Sequence, residues 1–274
     1  MKNKSDKKNN IKKEYIKKSK KYVANTYARF DLLLESGNGS KLKDFDGKEY
    51  IDLGSGIGVN SLGYNNKNWI KAINNQLNKL QHTSNLYYNK PYIKLAEKLC
   101  SITKFDKVFF ANSGAEANEA AIKCARKYSF IKYGKNAKRY NIVSLKNSFH
   151  GRTMATISAT GQDVFHNFFF PFLEGFLFAE ANNLEDAISK LKNNSCAIII
   201  ELIQGEGGVI PLNKEYVKAV REYCDKNDIL IIIDEVQTGV GRTGKFLCSE
   251  HYNLKADIIT LAKGLGGGLS IGAM

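Results

Sequence analysis

Residues 229–268 read ILIIIDEVQTGVGRTGKFLCSEHYNLKADIITLAKGLGGG. Ile229 to Ile233 is an unbroken apolar run, the pattern of a strand buried on both faces. It ends in Asp234 and Glu235, which places a carboxylate at the strand's carboxyl end. A second strand-like run, Asp257 to Ala262, ends in Lys263 and is followed by Gly264, Gly266, Gly267 and Gly268. In open α/β sheets ligands bind outside the carboxyl ends of the strands. An acid and a lysine delivered by neighbouring strands would therefore face one crevice. That pairing suits pyridoxal phosphate, whose aldehyde takes a lysine amine and whose pyridine nitrogen is held protonated by an acid. The same two residues also fit a surface lysine and a strand-end aspartate of an ordinary α/β protein.

Outward from this stretch, strands and helices alternate. Val108-Phe109-Phe110 leads into a helix from Ala115, and Ile142 to Leu145 is another strand. Ala197 to Ile200 is followed by a helix bearing Tyr216, Val217, Val220 and Cys224 on one face. Upstream, Trp69, Ile70, Ile73, Leu77 and Leu80 recur at helical spacing, and Pro91 opens a further helix. The pattern predicts an α/β fold with a mostly parallel sheet and helices on both faces. The amino-terminal part has a different texture. Leu32-Leu33-Leu34, Lys41-Leu42-Lys43 and Tyr50 to Leu53, separated by Gly37-Asn38-Gly39 and Asp46-Gly47, predict a small antiparallel meander. The expected organisation is a basic tail over 1–21, frayed or partly helical, then an amino-terminal segment over 22–60 and a large domain over 61–274.

Composition narrows the classes. Of 274 residues, 43% are hydrophobic and 25% charged, ordinary for a globular chain. No apolar run approaches the roughly 18 residues that span a bilayer. The amino terminus lacks the apolar core of a secretion signal, so cytoplasmic residence is expected. The five cysteines are scattered, with neither a disulfide framework nor a metal cluster implied, and burial as reduced thiols is expected. The net charge of +14 is concentrated at the start: residues 1–21 hold ten lysines against Asp6 and Glu14. That distribution reads as a solvated end, with no nucleic-acid partner expected.

Three further strand exits carry polar motifs. In Ala111-Asn112-Ser113-Gly114-Ala115-Glu116, Ser113 and Glu116 have capping-box spacing. The leading N–H groups of Gly114 and Ala115 can receive a phosphate, or simply begin a well-capped helix. Ser148-Phe149-His150-Gly151-Arg152 offers an aromatic for a planar ring and a guanidinium for a carboxylate, or ordinary packing and surface charge. Glu201 and Glu206 flank a glycine-rich turn and can line the same crevice or be a polar strand exit.

Eight segments in order, NTYARF, GSGIGVN, HTSNLYY, FFANSGAEANEAAIK, NSFHGRTMATISATGQ, ELIQGEGGV, IIIDEVQTGVGRTGKF and ADIITLAKGLGGG, span residues 25–268. With them the chain resembles the class-III, fold-type-I pyridoxal phosphate aminotransferases, and among them the acetylornithine branch. The resemblance implies pyridoxal 5'-phosphate as cofactor, with Lys263 as its Schiff-base lysine and Asp234 as the pyridine-nitrogen partner. It implies Phe149 and Val236 on the two ring faces, Gln237 at the ring hydroxyl, and Ser113, Gly114 and Ala115 at the phosphate. It further implies Arg152 as receptor of the acetylornithine carboxylate and Glu206 as partner of a gating arginine. The activity implied is transfer of the terminal amino group of N-acetylornithine to 2-oxoglutarate, in a homodimer. Leu202 and Ser270 stand where the family has proline, Tyr64 to Lys67 replaces a histidine-rich turn, and Asp31 replaces another proline. None of these removes a chemical group. The chain ends at Met274, where the family continues with the rest of the large domain and a small domain. Another class-III activity, on ornithine or 4-aminobutyrate or as an aminomutase, and a truncated non-catalytic fragment are the alternatives.

Overall fold

A computed structural model describes residues 10–274 in full and 2–9 as helix backbone. The chain divides into two compact units, 1–84 and 85–274. The break falls later than the expected one after residue 60. Residues beyond 60 are tied back to the meander by a Gly39–Tyr64 bridge and a hydrogen bond from the Tyr64 hydroxyl to Asp52 at 2.8 Å.

In the first unit, Lys2–Tyr22 is a continuous helix over the stretch expected to be a frayed or partly helical tail. Lys12 donates to Asp46 at 2.9 Å and Glu14 pairs with Lys18 one turn on, offsetting a little of the lysine repulsion. Three antiparallel strands follow, Leu34–Asn38, Lys41–Asp44 and Glu49–Ile51. Asn38 pairs with Lys41 across a two-residue turn in which Gly39 takes φ 57°, a backbone shape glycine adopts without strain. Leu34, Ile51 and Leu53 are exposed, while Leu32 and Leu33 are half-buried.

In the second unit, five parallel strands are labelled here in chain order: β1 Asn141–Leu145, β2 Phe176–Ala179, β3 Ser195–Ile200, β4 Leu230–Asp234 and β5 Ile258–Thr260. Their order across the sheet is β5-β4-β3-β1-β2. The strand sequences explain this sheet. All but the edge strand β2 are rich in β-branched residues, and their apolar residues occur at both parities, so these strands must be covered twice. Val143, Leu145, Ile198, Ile200, Ile231 and Ile233 belong to one core, with Ala187 and Leu191 of the helix Leu184–Leu191 and Val217, Val220 and Cys224 of the helix Lys214–Asn227. Ile142, Ala197, Ile199 and Ile232 belong to the other, with Ala121, Ile122 and Ala125 of the helix Gly114–Tyr133 and Ala155 and Ala159 of Met154–Ala159. Alternate residues of each strand thus serve opposite helix layers. Each fully buried large aliphatic side chain contributes about 1.5–3 kcal/mol.

The site-bearing edge follows from register. In the parallel ladder Asp234 lies opposite Thr260, and Ile233 opposite Ile200. Beyond β5, Leu261 bridges Ala273, and Gly272–Ala273 pairs antiparallel with Phe110–Ala111. This brings the Ser113 turn to the edge where Lys263 emerges. Cys196, Cys224 and Cys248 are buried as expected, but Cys124 is exposed and Cys100 half-buried. Cys124 falls on the outer side of its helix, whose buried residues include Ala121, Ile122 and Ala125.

Ile232 is fully buried between its strand neighbours and one helix layer, whereas Ile131 is 72% exposed. Ile232→Ala should cost about 2–5 kcal/mol in urea unfolding, and Ile131→Ala no more than about 0.5 kcal/mol. Equal costs would contradict the two-sided sheet.

Candidate functional site

The turns after β1, β3, β4 and β5 and the start of the Gly114–Tyr133 helix surround one carboxylate. Asp234 ends β4 and is 3% exposed. Its Oδ2 accepts from Asn118 Nδ2 at 2.7 Å and meets His150 Nδ1 at 2.8 Å. Its Oδ1 accepts from the Val236 N–H at 3.0 Å, with the Thr260 hydroxyl oxygen 3.5 Å away. A buried carboxylate without such partners would be strongly unfavourable. The partners are themselves braced: Asn118 donates to the His150 carbonyl at 2.8 Å and accepts from Thr260 at 2.7 Å, and the His150 N–H donates to the Thr160 hydroxyl at 3.0 Å. His150 Nε2 is buried and has no hydrogen-bond partner among the described residues. Glu235, next in sequence, has a structural job: it accepts from the Cys248 and Ser249 N–H groups at 2.9 and 2.8 Å and clamps that segment.

Lys263 lies at the end of the Leu261–Ala262 exit with φ 44°, in a 3₁₀ turn. A lysine in the left-handed region is a strained position that its surroundings must enforce. Burial lowers the pKa of its amine below the ordinary lysine value, against the opposing charges of Asp234, Glu201 and Glu206. The acid and the lysine are therefore in each other's field, as their strand ends suggest.

Ser113 caps the Gly114 helix by accepting from the Glu116 N–H at 3.1 Å. The reciprocal half of the expected capping box differs: Glu116 accepts from the Asn112 N–H at 2.6 Å. The leading N–H groups of Gly114 and Ala115 have no intrahelical acceptor, as at any helix start. Gly114 is pressed against Val236: a Cβ there would lie 2.6 Å from a Val236 methyl. Likewise a Cβ on Gly205 would lie 1.5 Å from Gln237 Oε1. These two glycines let the Ser113 turn and the β3 turn close on the turn after β4.

Phe149 is half-buried, edge-on to Phe165 with centroids 5.1 Å apart, and its N–H donates to Glu201 at 2.8 Å. Arg152 and Glu206 are exposed on the β1 and β3 turns. The structure thus brings Asp234, Lys263, Val236, Gln237, Ser113, Gly114 and Ala115 to one edge, with Phe149 adjoining through His150. Sequence reasoning missed His150, Asn118 and Thr260 around Asp234. The available signal was polar residues at places that should be apolar: a histidine beside Phe149, an asparagine on the inner helix face and a threonine ending β5.

Residues 22–274 match the family model of class-III aminotransferases. Acetylornithine aminotransferase of Haemophilus ducreyi is 55% identical over 253 residues, 92% of this chain and 64% of that one. Succinylornithine transaminase of Salmonella paratyphi A is 47% identical over 253 residues, 92% of this chain and 62% of that one. Among solved structures, ornithine aminotransferase of Toxoplasma gondii, with partial pyridoxal phosphate at its active site, matches with TM-score 0.91 and 30% identity, covering 96% of this chain and 62% of that one. N-acetylornithine aminotransferase of Stenotrophomonas maltophilia matches with TM-score 0.80 and 38% identity, covering 94% and 64%. The chain therefore spans less than two thirds of the length of these relatives. No helix of the described residues is long and apolar enough to cross a membrane.

A lowered lysine pKa has a direct readout. In competitive acetylation, Lys263 should gain reactivity at lower pH than ordinary exposed lysines, because its amine loses its proton earlier. A midpoint shared with exposed lysines would contradict the burial of its charge.

Proposed function

Because the chain belongs to the class-III aminotransferases, we propose that it carries the cofactor site of an enzyme that moves the terminal amino group of N-acetylornithine to 2-oxoglutarate, using pyridoxal phosphate. The observation that carries this reading is Asp234, a buried carboxylate held by Asn118, His150 and the Val236 N–H beside a lysine of lowered pKa. The names of the relatives support an N-acylated ornithine as donor.

The residues fit the cofactor at three places. Asp234 is oriented as an anionic acceptor for a ring N–H, and the preset partners keep its charge in place. Lys263 presents an amine that desolvation makes easier to deprotonate, suited to the aldehyde. Gly114 and Ala115 begin a twenty-residue helix, whose N–H groups and dipole favour a phosphate. Ser113 fixes that turn, Phe149 and Val236 are assigned to the ring faces, and Gln237 to its hydroxyl. When bound, pyridoxal phosphate supplies an electron sink for negative charge on the amine-bearing carbon.

The chain's own residues then do the rest. Asp234 keeps the ring-nitrogen proton in place. The Lys263 amine, once free, takes and returns the proton of the amine-bearing carbon, for which a lowered pKa is an advantage near neutrality. Arg152, on the exposed turn after Phe149, receives the donor's carboxylate, and Glu206 faces a cation supplied from elsewhere in the assembly. The full enzyme is proposed to be a cytoplasmic homodimer.

Asp234→Asn is nearly isosteric and removes a charged hydrogen bond worth about 1.5–3 kcal/mol. Cofactor affinity, measured by titrating pyridoxal phosphate, should fall about ten- to hundredfold; unchanged affinity would remove Asp234 from its assigned role. Donor identity is checked by single-turnover amine transfer to the loaded protein. N-acetylornithine should react in preference to ornithine and 4-aminobutyrate, with the preference weakened in Arg152→Ala. Preference for another donor would overturn the substrate assignment.

A further inference from the structure

Another buried carboxylate, Glu201, lies in the field of Asp234. Glu201 follows β3 and is 5% exposed, and its oxygens serve different loops. Oε1 accepts from the Phe149 N–H at 2.8 Å, and Oε2 from the Gly205 N–H at 3.3 Å. The first loop carries Phe149, His150 and Arg152; the second carries Glu206. The two loops also meet where Gln204 Nε2 donates to the Lys146 carbonyl at 2.8 Å. Glu201 is thus the shared acceptor of the amides that set Phe149 and the Gly205-Glu206 turn.

We propose that Glu201 is a proton-dependent positioning residue: its ionised carboxylate holds the Phe149 and Gly205 amides in one arrangement, and its protonation releases the turn that carries Glu206. An ionised carboxylate has only acceptor sites, so it satisfies both N–H groups. Protonation makes one oxygen an O–H donor, and the longer Gly205 bond is the one that yields. Bonds to the charged form are also roughly twice as strong as neutral ones. The proposal rests on the aminotransferase reading only in giving Phe149, Arg152 and Glu206 their tasks.

The proton exchange falls in a useful range. Burial pushes the Glu201 carboxyl up to about 7. From the β1 loop His150 favours the ionised form, from β4 Asp234 opposes it, and the two N–H bonds favour it. Lys263, after β5, feels both Glu201 and Glu206. The arrangement therefore holds above about 7 and loosens below it. Because the folded-state value is raised above the ordinary 4.5, the folded chain binds the proton more tightly than the unfolded one. Stability then falls as pH rises from about 4.5 to about 7 and levels off above. The ordered loops are maintained at some cost to the fold.

The test is an amide titration of this chain by nuclear magnetic resonance. Gln204-Gly205 is the only Gln-Gly pair in the sequence, so ¹³C′-glutamine with ¹⁵N-glycine selects that one amide. The Gly205 signal should move with a midpoint near 7, and the movement should vanish in Glu201→Gln, whose amide cannot accept from Gly205 with its nitrogen. A midpoint that persists in Glu201→Gln overturns the proposal. Should that variant not fold, a ¹³Cδ glutamate resonance of the native chain must titrate near 7; its absence overturns the proposal equally. In the loaded enzyme, kcat/KM for the acylornithine donor should fall on the acidic side through KM rather than kcat, and Glu201→Gln should remove that limb. The amide titration needs no substrate, so a chain with another donor, or none, leaves its outcome unchanged.

Discussion

The structure depends on keeping one ionised carboxylate, Asp234, out of water. A lone buried charge costs several kcal/mol even after relaxation, so every contact it makes is also a constraint on fold. Its acceptor sites are filled from the Gly114–Tyr133 helix by Asn118, from the β1 turn by His150 and from its own turn by Val236, while Thr260 of β5 braces Asn118. Three separate segments are thereby fixed around one atom pair. Replacing Asp234 by an apolar residue would take away the acceptor that these segments share.

Close approach of glycine backbone to side chains is the second constraint. A Cβ at Gly114 would strike the Val236 side chain and one at Gly205 the Gln237 side chain, so each glycine's backbone lies directly against a side chain of the turn after β4. The same edge gathers the Ser113 turn because Gly272–Ala273 bridges Leu261 to Ala111. A phosphate-suited helix start thus reaches the lysine although 150 residues of sequence, 263 − 113, separate them. Register, with no dedicated linker, performs the assembly.

Much of this was legible in the sequence, for reasons that can be named. The Ile-rich runs of β3 and β4 announce two-sided burial, and the face made by Tyr216, Val217, Val220 and Cys224 is buried as its spacing implies. Asp234 and Lys263 were visible because strand-end polar residues interrupt apolar runs. The strand Phe176–Ala179 and the helix Leu184–Leu191 went unmarked, since the aromatic run from Phe168 to Phe178 has no clean period. The bracing of Asp234 was also hidden: Asn118 and His150 lie 116 and 84 positions away, and only register brings them in. Glu201 was noted as a strand-exit acid, but its double acceptance from two loops is a tertiary fact.

The central claim is that Asp234 and Lys263 frame one cofactor pocket. Its most direct measurement is borohydride reduction of the chain incubated with pyridoxal phosphate, followed by peptide mass mapping. The account predicts a pyridoxyl group fixed on the peptide containing Lys263, and its loss from that peptide in Lys263→Ala. A label spread over surface lysines, with binding of pyridoxal phosphate unchanged by Lys263→Ala, would contradict it.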